Sequence, residues 1–167
     1  MSFAVITEGN IDYLLVKSFG YSRKEIFNVS GIGKVRNFII KNNTNFDKIV
    51  AIVDQDNSNT LTKVFRDIIE NKPFIQEDNY WVYRFKSIRN AYLVILCCPE
   101  IEDWIDKTLH QIGSSIKSFG YKNMAGFKSH TKTIAVANDS KILRIMEEIK
   151  KAGNYQLLKK RISTFLS

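Results

Sequence analysis

A short apolar run that ends abruptly in acidic residues constrains the fold of this chain more than any other feature. Ile49–Val53 is apolar throughout, and Asp54 and Asp56 follow it directly. An apolar run without polar alternation is typical of a strand that is buried on both faces, as in a parallel sheet. In open parallel sheets, ligands bind in the crevice beyond the carboxyl ends of the strands. We therefore expect this acid pair at a ligand-binding edge, although such pairs also occur in simple turns.

Strand-like and helix-like segments alternate along the chain. Strands are predicted at Phe3–Thr7, Ile26–Val29, Ile49–Val53, Tyr80–Phe85 and Tyr92–Cys98. Segments with apolar residues at helical spacing separate the first three strands and follow the last one. This alternation predicts an α/β fold with a Rossmann-like, mostly parallel sheet of about four or five strands and helices on both faces.

The chain of 167 residues is predicted to form a single domain. Residues 1–112 would form the core of this domain, and residues 113–167 would add a basic loop and the C-terminal helices. The segment Gly113–Thr133 is rich in Ser, Gly and Lys, which favours a mobile loop. Two amphipathic helices are predicted after it, at about residues 140–151 and 155–165.

A strong basic surplus indicates the class of partner. The formal net charge is +8, with a sequence pI of about 9.5, which favours an acidic partner and nucleic acid first. A simple solvated basic surface is the alternative. The sequence shows no signal peptide pattern. Its longest apolar run, Tyr92–Cys98, is too short to span a bilayer. The adjacent Cys97 and Cys98 suit a reducing compartment. We therefore expect a soluble cytoplasmic protein with no membrane partner.

Acidic residues follow the ends of several predicted strands. Glu8 follows the first strand, Asp54 and Asp56 the third, and Glu100 and Glu102 the last. Because the carboxyl ends of parallel strands meet at one edge, these acids are expected to converge, and like charges that converge require a cation. Oxygen ligands without His or Cys favour Mg²⁺ or Mn²⁺ over zinc. Each acid taken alone is more often an ordinary first-turn acid of a helix.

The spacing of these acids resembles that of a known family. Glu8-Gly9 after a first strand, Asp12 four residues after Glu8, and Asp54-x-Asp56 after a third strand are similar to a TOPRIM domain. This is the Mg²⁺-binding module of type IA and II topoisomerases, bacterial primases and OLD-family nucleases. The closest resemblance is to the small, single-domain TOPRIM-like proteins related to the OLD-family nucleases.

The resemblance implies roles for individual acids. Glu8 matches the glutamate that acts as general acid/base or metal ligand, and Asp54 and Asp56 match the metal-binding pair. Glu102 is the expected fourth acid, with Glu100 as the next candidate. No topoisomerase breakage region and no ATPase domain accompany these motifs in this sequence. A nuclease that acts alone, or a subunit that works with a separate ATPase or another protein, therefore fits better than a topoisomerase or primase.

Basic residues in the second half of the chain are candidate contacts to nucleic acid. Lys122, Lys128 and Lys132 are expected to hold phosphates, and Lys128 is also a candidate catalytic contact to the transition state. Lys34 follows a glycine-containing turn at a predicted helix start and is a further phosphate candidate. His130 could act as a general base.

Aromatic residues interleave with these lysines and have two interpretations. Phe119, Tyr121 and Phe127 could stack on nucleic-acid bases, or they could simply pack into the core.

The sequence favours divalent-metal-dependent hydrolysis of phosphodiester bonds in nucleic acid, with DNA and RNA both open as substrates. In this hypothesis the acids bind the metal and Glu8 takes a proton from the attacking water. One alternative is a non-catalytic TOPRIM-like protein that binds nucleic acid or acts as a scaffold. Another is a receiver-like signalling domain with Asp54 as phosphoacceptor, although a single Glu8 stands where a receiver carries an acidic pair.

Overall fold

The computed structural model describes residues 2–55 and 63–167, with Ile134 and Ala135 described by their backbone alone. The strands are β1 Phe3–Thr7, β2 Ile26–Asn28, β3 Lys48–Asp54, β4 Ile75–Gln76, β5 Tyr80–Arg84 and β6 Ala91–Leu96. They form one six-stranded sheet in the order β2-β1-β3-β6-β5-β4. The first strand of the chain thus lies between the second and the third, and the last strand lies beside β3.

The sheet is mixed. Strands β2, β1, β3 and β6 run parallel, whereas β5 is antiparallel to β6 and β4 is antiparallel to β5. The predicted α/β class is confirmed. The sheet itself differs from the prediction of a mostly parallel sheet of four or five strands, because it has six strands and two of its pairings are antiparallel. Residues 85–90 connect β5 to β6 and are too few for the crossover that a parallel pair needs.

Helices cover both faces of this sheet. They are α1 Asn10–Ser18, α2 Ile32–Asn42, α3 Ile101–His110, α4 Met124–Thr131, α5 Ser140–Ile149 and α6 Gly153–Leu166. Short 3₁₀ helices lie at Ile116–Phe119 and Ile134–Asn138, and residues 63–65 are also helical.

The alternation of side chains along β3 divides the core into two layers. Val50 and Ile52 face a large apolar cluster that includes α1, α3, α5 and α6. Ile49, Ala51 and Val53 face a smaller cluster formed with α2 and the segment around residue 65. All five side chains are buried, so the apolar run is a strand covered on both faces, as its sequence predicts.

The segment Gly113–Thr133 is not the loop that its composition predicts, because it contains a 3₁₀ helix and α4. Asn123 caps α4, and its Oδ1 accepts a hydrogen bond of 2.9 Å from the Gly126 backbone nitrogen. Phe127 is fully buried, and Tyr121 is 8% exposed. Burial of these two rings favours the core-packing interpretation over base stacking.

No helix in the described parts of the chain is long and apolar enough to cross a membrane.

Candidate functional site

The carboxyl ends of β1, β3 and β6 meet at one edge of the sheet. Thr7, the last residue of β1, pairs with Ile52, and Asp54, the last residue of β3, pairs with Leu96 at the end of β6. Glu8 therefore emerges beside the end of β3. The acids that follow these strands are brought to one place by strand register, as the sequence predicts for parallel neighbours.

A cleft of about 330 Å³ lies at this edge. Its lining is mainly carboxylates and polar groups from β3 and from the first turns of α1 and α3. The lining residues are Glu8, Gly9, Asn10, Ile11, Asp12, Asp54, Glu100, Ile101, Glu102, Thr131 and Lys132. Four of the five acids predicted as metal ligands thus line one cleft, and Asp56 lies outside the described residues.

Asp12 is one of two buried acids of the cleft, with Glu102. It is only 5% exposed, and its Oδ1 has no hydrogen-bond partner in the described structure. Burial raises the pKa of Asp12 well above its usual value, and the nearby charges of Asp54, Glu8 and, more weakly, Glu102 raise the pKa further. Three carboxylates therefore act electrostatically on the buried Asp12.

Gly9 allows the Asp12 carboxylate to fold back over the start of α1. A Cβ atom at Gly9 would lie 2.9 Å from Asp12 Oδ2, closer than nonbonded atoms tolerate. Glycine directly after Glu8 is thus explained by the close approach of a carboxylate.

Asp54 and Glu102 are held by groups from other segments. The backbone nitrogen of Ile101 donates a hydrogen bond of 3.2 Å to Asp54 Oδ2, which joins the start of α3 to the end of β3. Glu102 is 4% exposed, and the buried hydroxyl of Thr131 donates a hydrogen bond to its Oε1. Helix α4 thereby fixes the position of the Glu102 carboxylate.

Glu100 has a different environment at the rim of the cleft. Lys128 Nζ lies 3.2 Å from Glu100 Oε2 and 2.8 Å from Asp103 Oδ2. The hydrogen bond to Asp103 and the contact with Glu100 raise the pKa of Lys128. The predicted metal ligand Glu100 and the predicted catalytic Lys128 thus neutralise each other.

The other predicted phosphate contacts are dispersed. Lys132 is exposed and lines the cleft. Lys34 and Lys122 are exposed, but neither is among the residues that line it. Lys132 is thus the cation that the structure brings to the acids besides Lys128.

His130 lies in a chain of hydrogen bonds beside the cleft. Its Nδ1 is 2.7 Å from the Tyr121 hydroxyl, and its Nε2 is 3.1 Å from Asp139 Oδ2. Burial, together with the Asp139 charge, raises the pKa of Tyr121 to about 12. Both ring nitrogens of His130 therefore have protein partners, and the adjacent Thr131 is the residue that reaches the cleft.

The described acids are not yet in a coordination geometry. Within residues 2–55 and 63–167, no group of three or more His, Cys, Asp or Glu side chains is arranged to hold a metal ion.

Comparison of the chain with protein-family models, with curated proteins and with solved structures gives no match. The chemistry of the cleft is therefore the basis for any functional conclusion.

Two residues of the cleft have roles that the sequence pattern does not assign. Asp12 is part of the quoted motif, but its burial follows only from the packing of α1 against the sheet. A sequence signal for Asp12 does exist. A glycine, Gly9, follows a buried strand, and Asp12 lies three residues after it in the first turn of the next helix. Thr131 has no such signal, because its contact with Glu102 spans 29 residues.

Proposed function

We propose that this protein hydrolyses phosphodiester bonds in nucleic acid with the help of a divalent cation. The observation that carries the proposal is the buried Asp12, whose Oδ1 has no partner and whose neighbours include Glu8, Asp54 and Glu102. A buried carboxylate among like charges is unfavourable unless a proton or a cation neutralises it, and a cation can act on the surrounding acids at the same time.

The donor set suits Mg²⁺ or Mn²⁺. Glu8, Asp12, Asp54 and Glu102 supply only carboxylate oxygens, and hard divalent cations prefer such ligands. A cation bound there would polarise a phosphodiester and lower the pKa of a water molecule. The resemblance to TOPRIM domains is part of this proposal, and it is supported by the positions of Glu8 after β1 and Asp54 at the end of the adjacent β3.

The chain's own residues have separate tasks in this reaction. Glu8 is the proposed proton acceptor for the attacking water, because it lines the cleft where the phosphodiester would bind. Thr131 orients Glu102, and Lys132 contacts a phosphate oxygen at the mouth of the cleft. The net charge of +8 favours a polyanionic substrate despite the acids of the site.

Cleavage assays test the proposal directly. Labelled single- and double-stranded DNA and RNA are incubated with Mg²⁺ or Mn²⁺ and either wild type or Asp54→Asn. We expect metal-dependent products from the wild type that EDTA and Asp54→Asn both abolish. Products that persist in Asp54→Asn would show a contaminating nuclease or a different site, and divalent-ion titration by calorimetry checks whether the variant has lost the cation.

A non-catalytic protein that binds nucleic acid or acts as a scaffold is the second candidate. It is favoured by the pairing of Lys128 with Glu100, which occupies the predicted catalytic lysine and one of the predicted metal ligands. Under this alternative the wild type binds nucleic acid without cutting it, and Asp54→Asn binds it equally well. If the wild type binds a divalent ion but cuts nothing alone, a separate partner such as an ATPase would be required for activity.

A cytoplasmic location fits both candidates. Cys97 and Cys98 are free thiols, and burial raises the pKa of Cys97 to about 11. Free, unreactive cysteines of this kind are usual in a reducing compartment.

A further inference from the structure

A second cavity adjoins the acidic cleft. It has a volume of about 490 Å³ and lies between α1, the sheet edge at β2 and the 3₁₀ helix Ile134–Asn138. The residues that line it are Asn10, Tyr13, Lys17, Arg23, Ile26, Asn28, Ala137 and Asn138. We call this cavity the α1 groove. Asn10 lines both the α1 groove and the acidic cleft, so the two cavities meet at this side chain.

One stripe of α1 forms a wall of the α1 groove. Asn10, Tyr13 and Lys17 are spaced i, i+3 and i+7, which puts them on the same side of the helix. The stripe extends about 10 Å from the acidic cleft, given the rise of a helix per residue. This length matches the span of one or two nucleotides in an extended strand. Arg23 follows α1 in the chain and lines the same groove.

The α1 groove is basic, in contrast to the acidic cleft. Lys17 and Arg23 are exposed, and neither is paired with a carboxylate within the described ranges 2–55 and 63–167. No acidic residue is among those that line the α1 groove. Two cations with no acidic partner beside an acidic cleft suit a ligand with successive negative charges, one part of which reaches the acids.

Another basic cavity, on the opposite face of the sheet, lacks this arrangement. Arg36, Lys63, Arg66 and Lys86 line it together with Asp67. Arg36 is paired there with Asp67 at 2.7 Å. This cavity shares no lining residue with the acidic cleft, so it serves as a control surface.

Tyr13 adds an aromatic surface between the two cations and the acids. Its ring is half-buried, packs against the main apolar cluster and lines the α1 groove. An aromatic ring in a basic groove is a stacking surface for an unpaired base, whereas the bases of a duplex are already stacked on one another.

We propose that the α1 groove binds single-stranded nucleic acid and leads the strand into the acidic cleft. Lys17 and Arg23 contact successive phosphates, and Tyr13 stacks on a base. The assignment of the acidic cleft as the place of cleavage rests on the proposed function, whereas strand binding in the α1 groove does not.

Binding measured in EDTA separates the groove from cleavage. Fluorescence anisotropy of a labelled single strand of about twelve nucleotides compares wild type with Lys17→Glu/Arg23→Glu and with Arg66→Glu/Lys86→Glu. Both double variants change the net charge equally, but the second lies on the opposite face. We expect binding to weaken at least about tenfold in the first and by less than about threefold in the second. Thermal unfolding verifies that each variant is folded.

Two substitutions of Tyr13 test whether its aromatic ring stacks on a base. Tyr13→Ala should weaken single-strand binding about tenfold, while Tyr13→Phe keeps the stacking surface and should stay within about twofold of wild type. A duplex competitor of the same length should displace the strand poorly.

The outcomes distinguish the groove from the proposed function. Binding that is equally weakened in both double variants, or unchanged in Lys17→Glu/Arg23→Glu, overturns the proposal even if cleavage is found. Equal affinity for duplex together with no effect of Tyr13→Ala overturns the single-strand assignment. Loss of binding in the groove variant, combined with neither divalent-ion binding nor metal-dependent cleavage by the wild type, would support the groove and overturn the proposed function.

Discussion

Two groups of acids lie at the same edge of the sheet and differ in how their charge is balanced. Glu100 and Asp103 share the ammonium of Lys128, within 3.2 and 2.8 Å. Asp12 is buried among Glu8, Asp54 and Glu102, and one of its oxygens has no partner in the described structure. The first group is stabilised by the protein's own cation. The second group is arranged so that a cation from solution would stabilise it, and this difference separates a structural ion pair from a candidate site.

Glu8 and Glu100 provide the strongest test of this difference, because each can be changed to an isosteric glutamine. If Glu8 accepts a proton in the reaction, Glu8→Gln should lower metal-dependent cleavage by about 100-fold or more. Glu100→Gln should lower it by less than about threefold, since Lys128 already neutralises Glu100. Single-turnover cleavage rates at saturating Mg²⁺ measure both effects. Similar losses in the two variants would mean that the two groups of acids form one site.

Asp12→Asn should increase stability in the absence of metal. The substitution removes a buried charge whose pKa is raised by burial and by the neighbouring acids. We expect a gain of about 1 kcal/mol in the free energy of unfolding at neutral pH, or about 2–4 °C in Tm. Mg²⁺ at about 100 times its Kd should stabilise the wild type by about 2.7 kcal/mol and Asp12→Asn far less.

The pH dependence of this gain has a definite sign. Because the folded-state pKa of Asp12 lies above its unfolded value, the folded wild type binds the proton more tightly. Wild-type stability should therefore fall as pH rises from about 4 through the folded pKa, and the advantage of Asp12→Asn should grow over the same range. Thermal unfolding in EDTA across this range measures it, and an advantage independent of pH would contradict the role of the charge.

Lys128→Ala should have the smallest effect. It leaves Glu100 and Asp103 without their cation, but these side chains are partly exposed, at 36% and 27%. Solvent screening limits the loss to about 1 kcal/mol or less. Because the folded-state pKa of Lys128 is raised, its contribution is fully present below about pH 10 and is lost as pH rises further. Chemical denaturation at low and high salt compares Lys128→Ala with Lys128→Arg, which should retain most of the stability.

Much of the fold follows from local pattern. The apolar runs of β1 and β3 and the helical spacing of Ile11, Leu14 and Leu15 in α1 predict buried strands with a helix between them. The antiparallel β4 is too short to give a pattern, at two residues. Helix α4 was missed because its apolar face is small and because Gly126 lowers its helix propensity.

The part of the candidate site that lies at the carboxyl ends of the parallel strands could be predicted from the sequence. Glu8, Asp54 and Glu102 reach one cleft because each follows a strand of the same parallel group. The separation of Glu100 from that group could not be predicted, since it depends on Lys128 from a distant helix. Asp56 remains a prediction, as it lies outside the described residues.

The position of β6 has a consequence for synthesis of the chain on the ribosome. Strand β3 is complete at Asp54, but its second neighbour ends at Leu96, about forty residues later. At usual elongation rates this interval lasts about 2–8 seconds, during which one edge of a strand with an apolar centre has no neighbour. The nascent protein is thus most prone to aggregate before β6 emerges, and translational pausing in this interval should lower its yield more than pausing after it.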